Sequence, residues 1–285
     1  MRRTAEVIGA MFWGGVRVAS LLALISYAAA ATAEPADLFR EAANVPSVVV
    51  DHSAWDRLLQ TYVHPGDDGL NRVDYGSFQA NGHAELKQYL ESLRAVDPRT
   101  LSRSEQFAFL ANLYNAKTID IVLDHYPVSS IKNVSLGGGL FAAFTGGPWK
   151  AKVLTLQGVE FSLDDIEHGV LRPLFKDPRA HYSVNCASVG CPNLQMHAFT
   201  GAHLNAQLDA AAKAYVNNPR GTNFSGGRLV VSSIYEWFKS DFGGDDVGVL
   251  KHLRKYATPS LRLKLDSVRS ISSHQYDWTL NDVVR

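Results

Sequence analysis

The residues best suited to chemistry lie in one stretch, His181-Tyr182-Ser183-Val184-Asn185-Cys186-Ala187-Ser188-Val189-Gly190-Cys191-Pro192, which holds both cysteines of the 285-residue chain. A histidine precedes the first cysteine by five residues. A thiolate beside an imidazole is a nucleophile–base pair suited to acyl transfer. Two close cysteines offer a second outcome, a Cys186–Cys191 disulfide closing the Ser188-Val189-Gly190 turn, provided the Cα atoms come within roughly 4.4–6.8 Å. Cysteines and histidines between 181 and 203 are also zinc ligands by type. The paired Cys-x2-Cys and His-x3-His spacings of a zinc site are absent, so neither a metal nor another cofactor is expected. Thiol and disulfide both stay open.

Spacing limits how these residues can meet. Tyr182 and Val184 alternate with polar neighbours, which predicts a strand running into a turn at Ser188, Gly190 and Pro192. In an unbroken strand His181 and Cys186 point to opposite faces, while His181, Ser183 and Asn185 share one. His181 and Cys186 therefore meet only if the strand bulges or ends before Cys186. Otherwise the histidine comes from elsewhere, with His168, His197 and His203 as candidates. Glu167, on a helix just before the strand, is of the type that orients and stabilises an imidazolium. Its plain alternative is a surface pair with Arg172.

Other elements must hold this stretch in place. Ser102 and Glu105 predict a capping box for a helix continuing through Phe107–Leu123. Its apolar residues fall on almost every side, which marks a helix packed inside the domain, and Pro127 stops it. Asn112 and Asn115 lie three apart and share a face. Buried asparagines left without partners cost about 1–3 kcal/mol each. They either tie loops to this helix or orient a reacting group. Short helices are predicted over 53–62 and 84–93, and a long loop over 131–149 that lacks phosphate-loop spacing. Residues 153–156 and 159–161 predict a hairpin, after which Ser162 opens a helix with Asp165 at the capping position. Beyond Pro192 come a helix over 202–216, a strand over 228–232, a short aromatic helix over 234–238, and helices near 247–256 and 261–268. The expected fold class is α+β: helices packed on a small antiparallel sheet built from strands near 153, 159, 181 and 229. An N-terminal helical section (34–100) precedes a second section (101–285).

Lys+Arg and Asp+Glu balance at 28 each, which gives no electrostatic footprint for nucleic acid. Arg2-Arg3, the apolar run 18–30 and the small residues Ala31-Thr32-Ala33 fit a signal peptide (1–33) cleaved after Ala33. The mature protein is then expected in the periplasm or outside the cell, where cysteines can pair. Any membrane contact would come through that segment if it stays uncleaved.

Several pieces resemble the bacterial and plant family called domain of unknown function 547. They are Asn112-Leu113-Tyr114-Asn115-Ala116, the run from Ser162 to Arg172, the stretch from His181 to Pro192, and Tyr276-Asp277-Trp278-Thr279-Leu280-Asn281. They occur in the family's order and cover roughly Phe107 to the end. The resemblance implies a fold distantly like the papain and transglutaminase cysteine proteases. It implies amide chemistry (peptidase, amidase or deamidase) on a peptide- or amide-containing substrate. Cys186 would attack, His181 would carry the proton, Glu167 would hold the imidazole, and Asn185 or Asn112 would polarise the oxyanion. In papain-like sites the cysteine begins the central helix; here that helix carries Asn112 and Asn115 instead. The competing reading is a non-catalytic binding module in which the cysteines pair and Trp149 and Tyr235–Trp237 line a groove.

Overall fold

The structure is a computed structural model that describes residues 34–43, 48–136 and 147–283. The expected signal peptide and the glycines at 137–139 lie outside the described residues. Ala33–Arg285 forms one compact unit.

Helix α1 (Ser53–Tyr62) buries Trp55, Leu58, Leu59 and Tyr62, the face its spacing predicts. A two-stranded hairpin, β1 (Val63–Pro65) and β2 (Asn71–Val73), leads to α2 (Tyr75–Asn81) and α3 (His83–Arg94). Helix α4 (Arg103–His125) is the core of the fold, buried on nearly all sides. Ser102 caps it by accepting the Glu105 N–H at 3.2 Å. The expected capping box is only half made, because the Glu105 carboxylate lies against Gly201 instead of reaching back. Buried Asp120 joins α4 to α3 through Lys87 and His83, both at 2.9 Å, and is also paired within α4 with Lys117 at 2.7 Å. Burying this carboxylate is tolerable only because its charge is paired and hydrogen-bonded.

The hairpin of β3 (Leu154–Leu156) and β4 (Val159–Phe161) then feeds a wide π-type helix, Asp165–Phe175. Here the capping box is complete. Asp165 Oδ2 accepts the Ser162 N–H at 2.7 Å, and Ser162 Oγ accepts the Asp165 N–H at 3.0 Å. After a 3-10 turn (Pro178–Tyr182) come α5 (Leu204–Val216), β5 (Thr222–Ser225), β6 (Arg228–Ser232) and α6 (Ile234–Trp237). A second 3-10 turn (Lys239–Phe242), α7 (Asp246–Tyr256), α8 (Pro259–Asp266) and β7 (Ser273–Gln275) follow.

The α+β class holds, but the expected single antiparallel sheet does not. The described strands form three separate small sheets, and in the largest β6 pairs antiparallel with β5 and parallel with β7. No strand runs through His181. Proline fixes φ and suits the first position of a helical turn. Pro178 does this here, with Asp177 accepting the Arg179 N–H at 2.9 Å, and that signal overrides a short alternation. The apolar interior has two parts, one around α1–α4 and one joining Tyr182, α5, β6 and α7. Among the described residues no helix is long and apolar enough to cross a membrane.

Candidate functional site

The two asparagines of α4 hold the loops that frame the site. Asn115 donates to the Ser183 carbonyl and accepts the Asn185 N–H, both at 2.8 Å. Asn112 does the same for the Phe199 carbonyl and N–H, at 2.8 and 2.9 Å. Both amides are thus used on backbone. Asn185 spans its own loop, donating to the Pro192 carbonyl at 2.6 Å and accepting the Ala187 N–H at 2.8 Å. Neither Asn112, Asn115 nor Asn185 lines the cavity described below.

That clamp forces the chain back on itself. Ala187 adopts φ +58°, a left-handed conformation that disfavours residues bearing a Cβ. The loop then pairs with the C-terminal segment: Val189 and Gly190 donate to the carbonyls of Thr279 and Asp277 at 2.8 Å. A Cβ on Gly190 would lie 2.8 Å from the Asp277 nitrogen, so the close approach requires glycine. The reversal brings the Cα atoms of Cys186 and Cys191 to 6.2 Å, and the sulfurs are joined in a disulfide. Cys186 therefore carries no free thiol in this structure, and of the two outcomes left open by spacing the disulfide is the one observed. The Cys186 N–H donates to Cys191 Sγ at 2.9 Å. The Tyr276 hydroxyl lies 3.1 Å from each sulfur and accepts from Ser188 Oγ at 3.2 Å. Burial pushes the Tyr276 phenol up, so it keeps its proton and can donate.

His181 is buried in the 3-10 turn and stacked on Phe238, with ring centroids 4.5 Å apart. Its Nε2 donates to Asp241 Oδ2 at 2.8 Å, since a carboxylate only accepts. Arg172 Nε donates to the same oxygen at 2.6 Å. The His181 hydrogen bond, with Arg172 beside it, holds the Asp241 carboxyl well below the usual carboxylate range. The acid that orients His181 is thus Asp241. Glu167 Oε1 stands 3.8 Å from His181 Nδ1, and burial followed by the Glu167 charge raises the neighbouring Tyr114 phenol. Arg172 pairs with Asp241, not with Glu167. Asp164, one turn before His168, is half-buried; burial and then the Glu167 charge raise its carboxyl, against the lowering pull of His168.

His181, Glu167, Asp164 and Tyr114 face a cavity of about 340 Å³, whereas Asp241 and Arg172 stand behind it. One wall is the disulfide, and His181 and Glu167 form another part of the lining. Trp149, Trp237, Trp278 and Tyr276 supply aromatic surface. Trp237 and Trp278 are stacked at 5.8 Å, and Trp149 meets Trp278 edge-on at 5.6 Å. The Asp164 N–H donates to the Trp149 carbonyl at 3.0 Å, which ties this ring to the start of the π-type helix. Of the expected groove aromatics, Trp149 and Trp237 are present, whereas Tyr235 is fully buried against Tyr182. Asp241, Tyr114 and Phe238 were not singled out by sequence reasoning. Asp241 follows an aromatic run, but nothing in its spacing links it to a histidine 60 residues earlier.

Among the described residues, the side chains grouped closely enough to hold a metal are His83, Asp120 and Asp124, away from the cysteines. Lys87 and Lys117 already neutralise Asp120 there.

Residues 98–216 match the family model described as "Protein of unknown function, DUF547". Comparison with curated proteins and with solved structures gave no match.

Proposed function

We propose, from the membership of residues 98–216 in the DUF547 family and from the cavity, that this chain is an exported, non-catalytic binding module for a peptide- or amide-containing ligand. The observation that carries this reading is the Cys186–Cys191 disulfide in the cavity wall, which leaves a formed pocket without a thiol nucleophile. Its volume falls in the range of small-ligand sites, roughly 300–1,000 Å³. Three indoles offer flat apolar faces for side chains or amide planes, and Glu167 is an acceptor for an amide N–H. Export to an oxidising compartment would keep the bond closed.

The indoles also supply the test. Tryptophan emission of the oxidised protein should change saturably on titration with short aromatic peptides and their amides. Trp278→Ala should weaken that response by at least about tenfold, as loss of a central aromatic anchor does. A response that Trp278→Ala leaves unchanged would sink the assignment of this pocket.

A second reading is a thiol-dependent amide hydrolase that becomes competent on reduction. The Asp241–His181 pair favours it, because an imidazole fixed through Nε2 has Nδ1 left for proton transfer. Hydrolysis of amide substrates by the reduced protein, lost in Cys186→Ser, would establish this reading over the first.

A further inference from the structure

The two sulfurs of the disulfide are not equivalent. Both cysteines line the cavity, but Cys186 is partly exposed whereas Cys191 is only 3 % exposed. Cys191 Sγ receives the Cys186 N–H at 2.9 Å, and this donor distinguishes the sulfurs, since the Tyr276 hydroxyl lies 3.1 Å from both. Ser188 donates to the Tyr276 oxygen, which leaves the phenolic proton directed to sulfur. A buried thiolate is costly unless hydrogen bonds stabilise its charge. Cys191 has the backbone donor to itself and shares the Tyr276 hydroxyl, so it is the sulfur set up as the leaving group. Cys186 faces the open space from which a nucleophile would arrive.

We infer that the pocket carries out thiol–disulfide exchange with a low-molecular-weight thiol. The thiol loses its proton to solvent, and its sulfur attacks Cys186 Sγ. A new S–S bond forms between the thiol and Cys186 as the Cys186–Cys191 bond breaks. The bonding pair moves onto Cys191 Sγ, where the Cys186 N–H and the Tyr276 O–H stabilise it. A second thiol molecule attacks the sulfur of the first, releases Cys186 as a thiolate, and leaves as the symmetrical disulfide. Two thiols are oxidised and one protein disulfide is reduced, so electrons balance. Exchange rates rise with the stability of the leaving thiolate, which is what these donors provide.

The inference rests on the disulfide but not on the ligand-binding reading. The full mature chain would be incubated with reduced glutathione, quenched by acid and alkylation, and mapped by mass spectrometry. The expected product is glutathione on Cys186 with Cys191 alkylated, formed roughly tenfold faster in native protein than in urea, the size of effect one hydrogen bond to a charged sulfur gives. Tyr276→Phe should slow the native reaction by a similar factor. Cys191→Ser, in which no resolving thiol exists, should hold glutathione on Cys186 when loaded with oxidised glutathione. Native exchange no faster than in urea, or an adduct on Cys191, would overturn the inference. The wild-type comparison needs no variant to fold. An inert disulfide would leave the fluorescence titration of oxidised protein untouched, so the two failures are distinguishable.

Discussion

At the scale of single residues, one oxygen of Asp241 does the work that sequence reasoning assigns to Glu167. It accepts from both His181 and Arg172, which fixes the imidazole and draws the π-type helix and the second 3-10 turn together. Asp241→Asn keeps the size but removes the charge. Breaking charge-assisted hydrogen bonds of this kind costs roughly 1–3 kcal/mol, and the urea midpoint of the variant should fall accordingly. An unchanged midpoint would mean that His181 and Arg172 find equivalent partners. The reason Asp241 escapes a reading of the sequence is distance along the chain: no local pattern couples it to His181. Asn112 and Asn115 were legible as a pair on one helix face, and each acts as a loop anchor, with both ends of its amide bonded to backbone.

At the scale of elements, local signals predicted well where both partners sit within one turn. Ser162 and Asp165 form the reciprocal cap that their spacing predicts, and the next turns carry Asp164, Glu167 and His168 to the cavity edge. Ser102 and Glu105 have the same spacing, but the Glu105 carboxylate packs against Gly201, a tertiary contact the local pattern cannot contain. The strand expected at His181 failed because three alternating residues are a weaker constraint than Pro178 behind an Asp cap. The hairpin-like loop 185–192 depends on its backbone. Ala187→Val would place a β-branched side chain at φ +58° in a fully buried site and should cost at least about 1–2 kcal/mol. Gly190→Ala would push against Asp277 and Tyr276, so its expected signature is weakened ligand binding together with lower stability. Wild-type binding by Gly190→Ala would show that the C-terminal segment can retreat without disturbing the pocket.

At the scale of the whole molecule, two buried histidines contribute to the pH response. Burial lowers His52 and His252 to about 4, and each is hydrogen-bonded to a tyrosine at 2.7 Å. In the unfolded chain both titrate near the ordinary histidine value of about 6.5. Above that value both states are neutral and the groups contribute no difference. As pH falls from about 6.5 towards 4, the unfolded chain binds protons that the fold refuses, so stability declines, by on the order of 3 kcal/mol per histidine at the acid end. Asp241, held low, adds a further loss below its ordinary value, whereas Asp164, held high by burial, works in the opposite direction. Urea unfolding at pH 7 and pH 4.5 should show a clearly lower midpoint at pH 4.5; a flat profile would mean that these histidines charge within the fold. The fold class was legible from helix periodicity and turn residues, but the division into three small sheets was not, because strand pairing between distant segments leaves no local trace. The central claim, that the cysteines close the wall of a ligand pocket and do not present a thiol, has a direct test. Protein alkylated at lysis and purified without reductant would be denatured and titrated for thiols, and then reduced and titrated again. The account predicts no thiol before reduction and two per chain after it. Cysteines already alkylated at lysis would contradict it and would return Cys186 to the role of nucleophile.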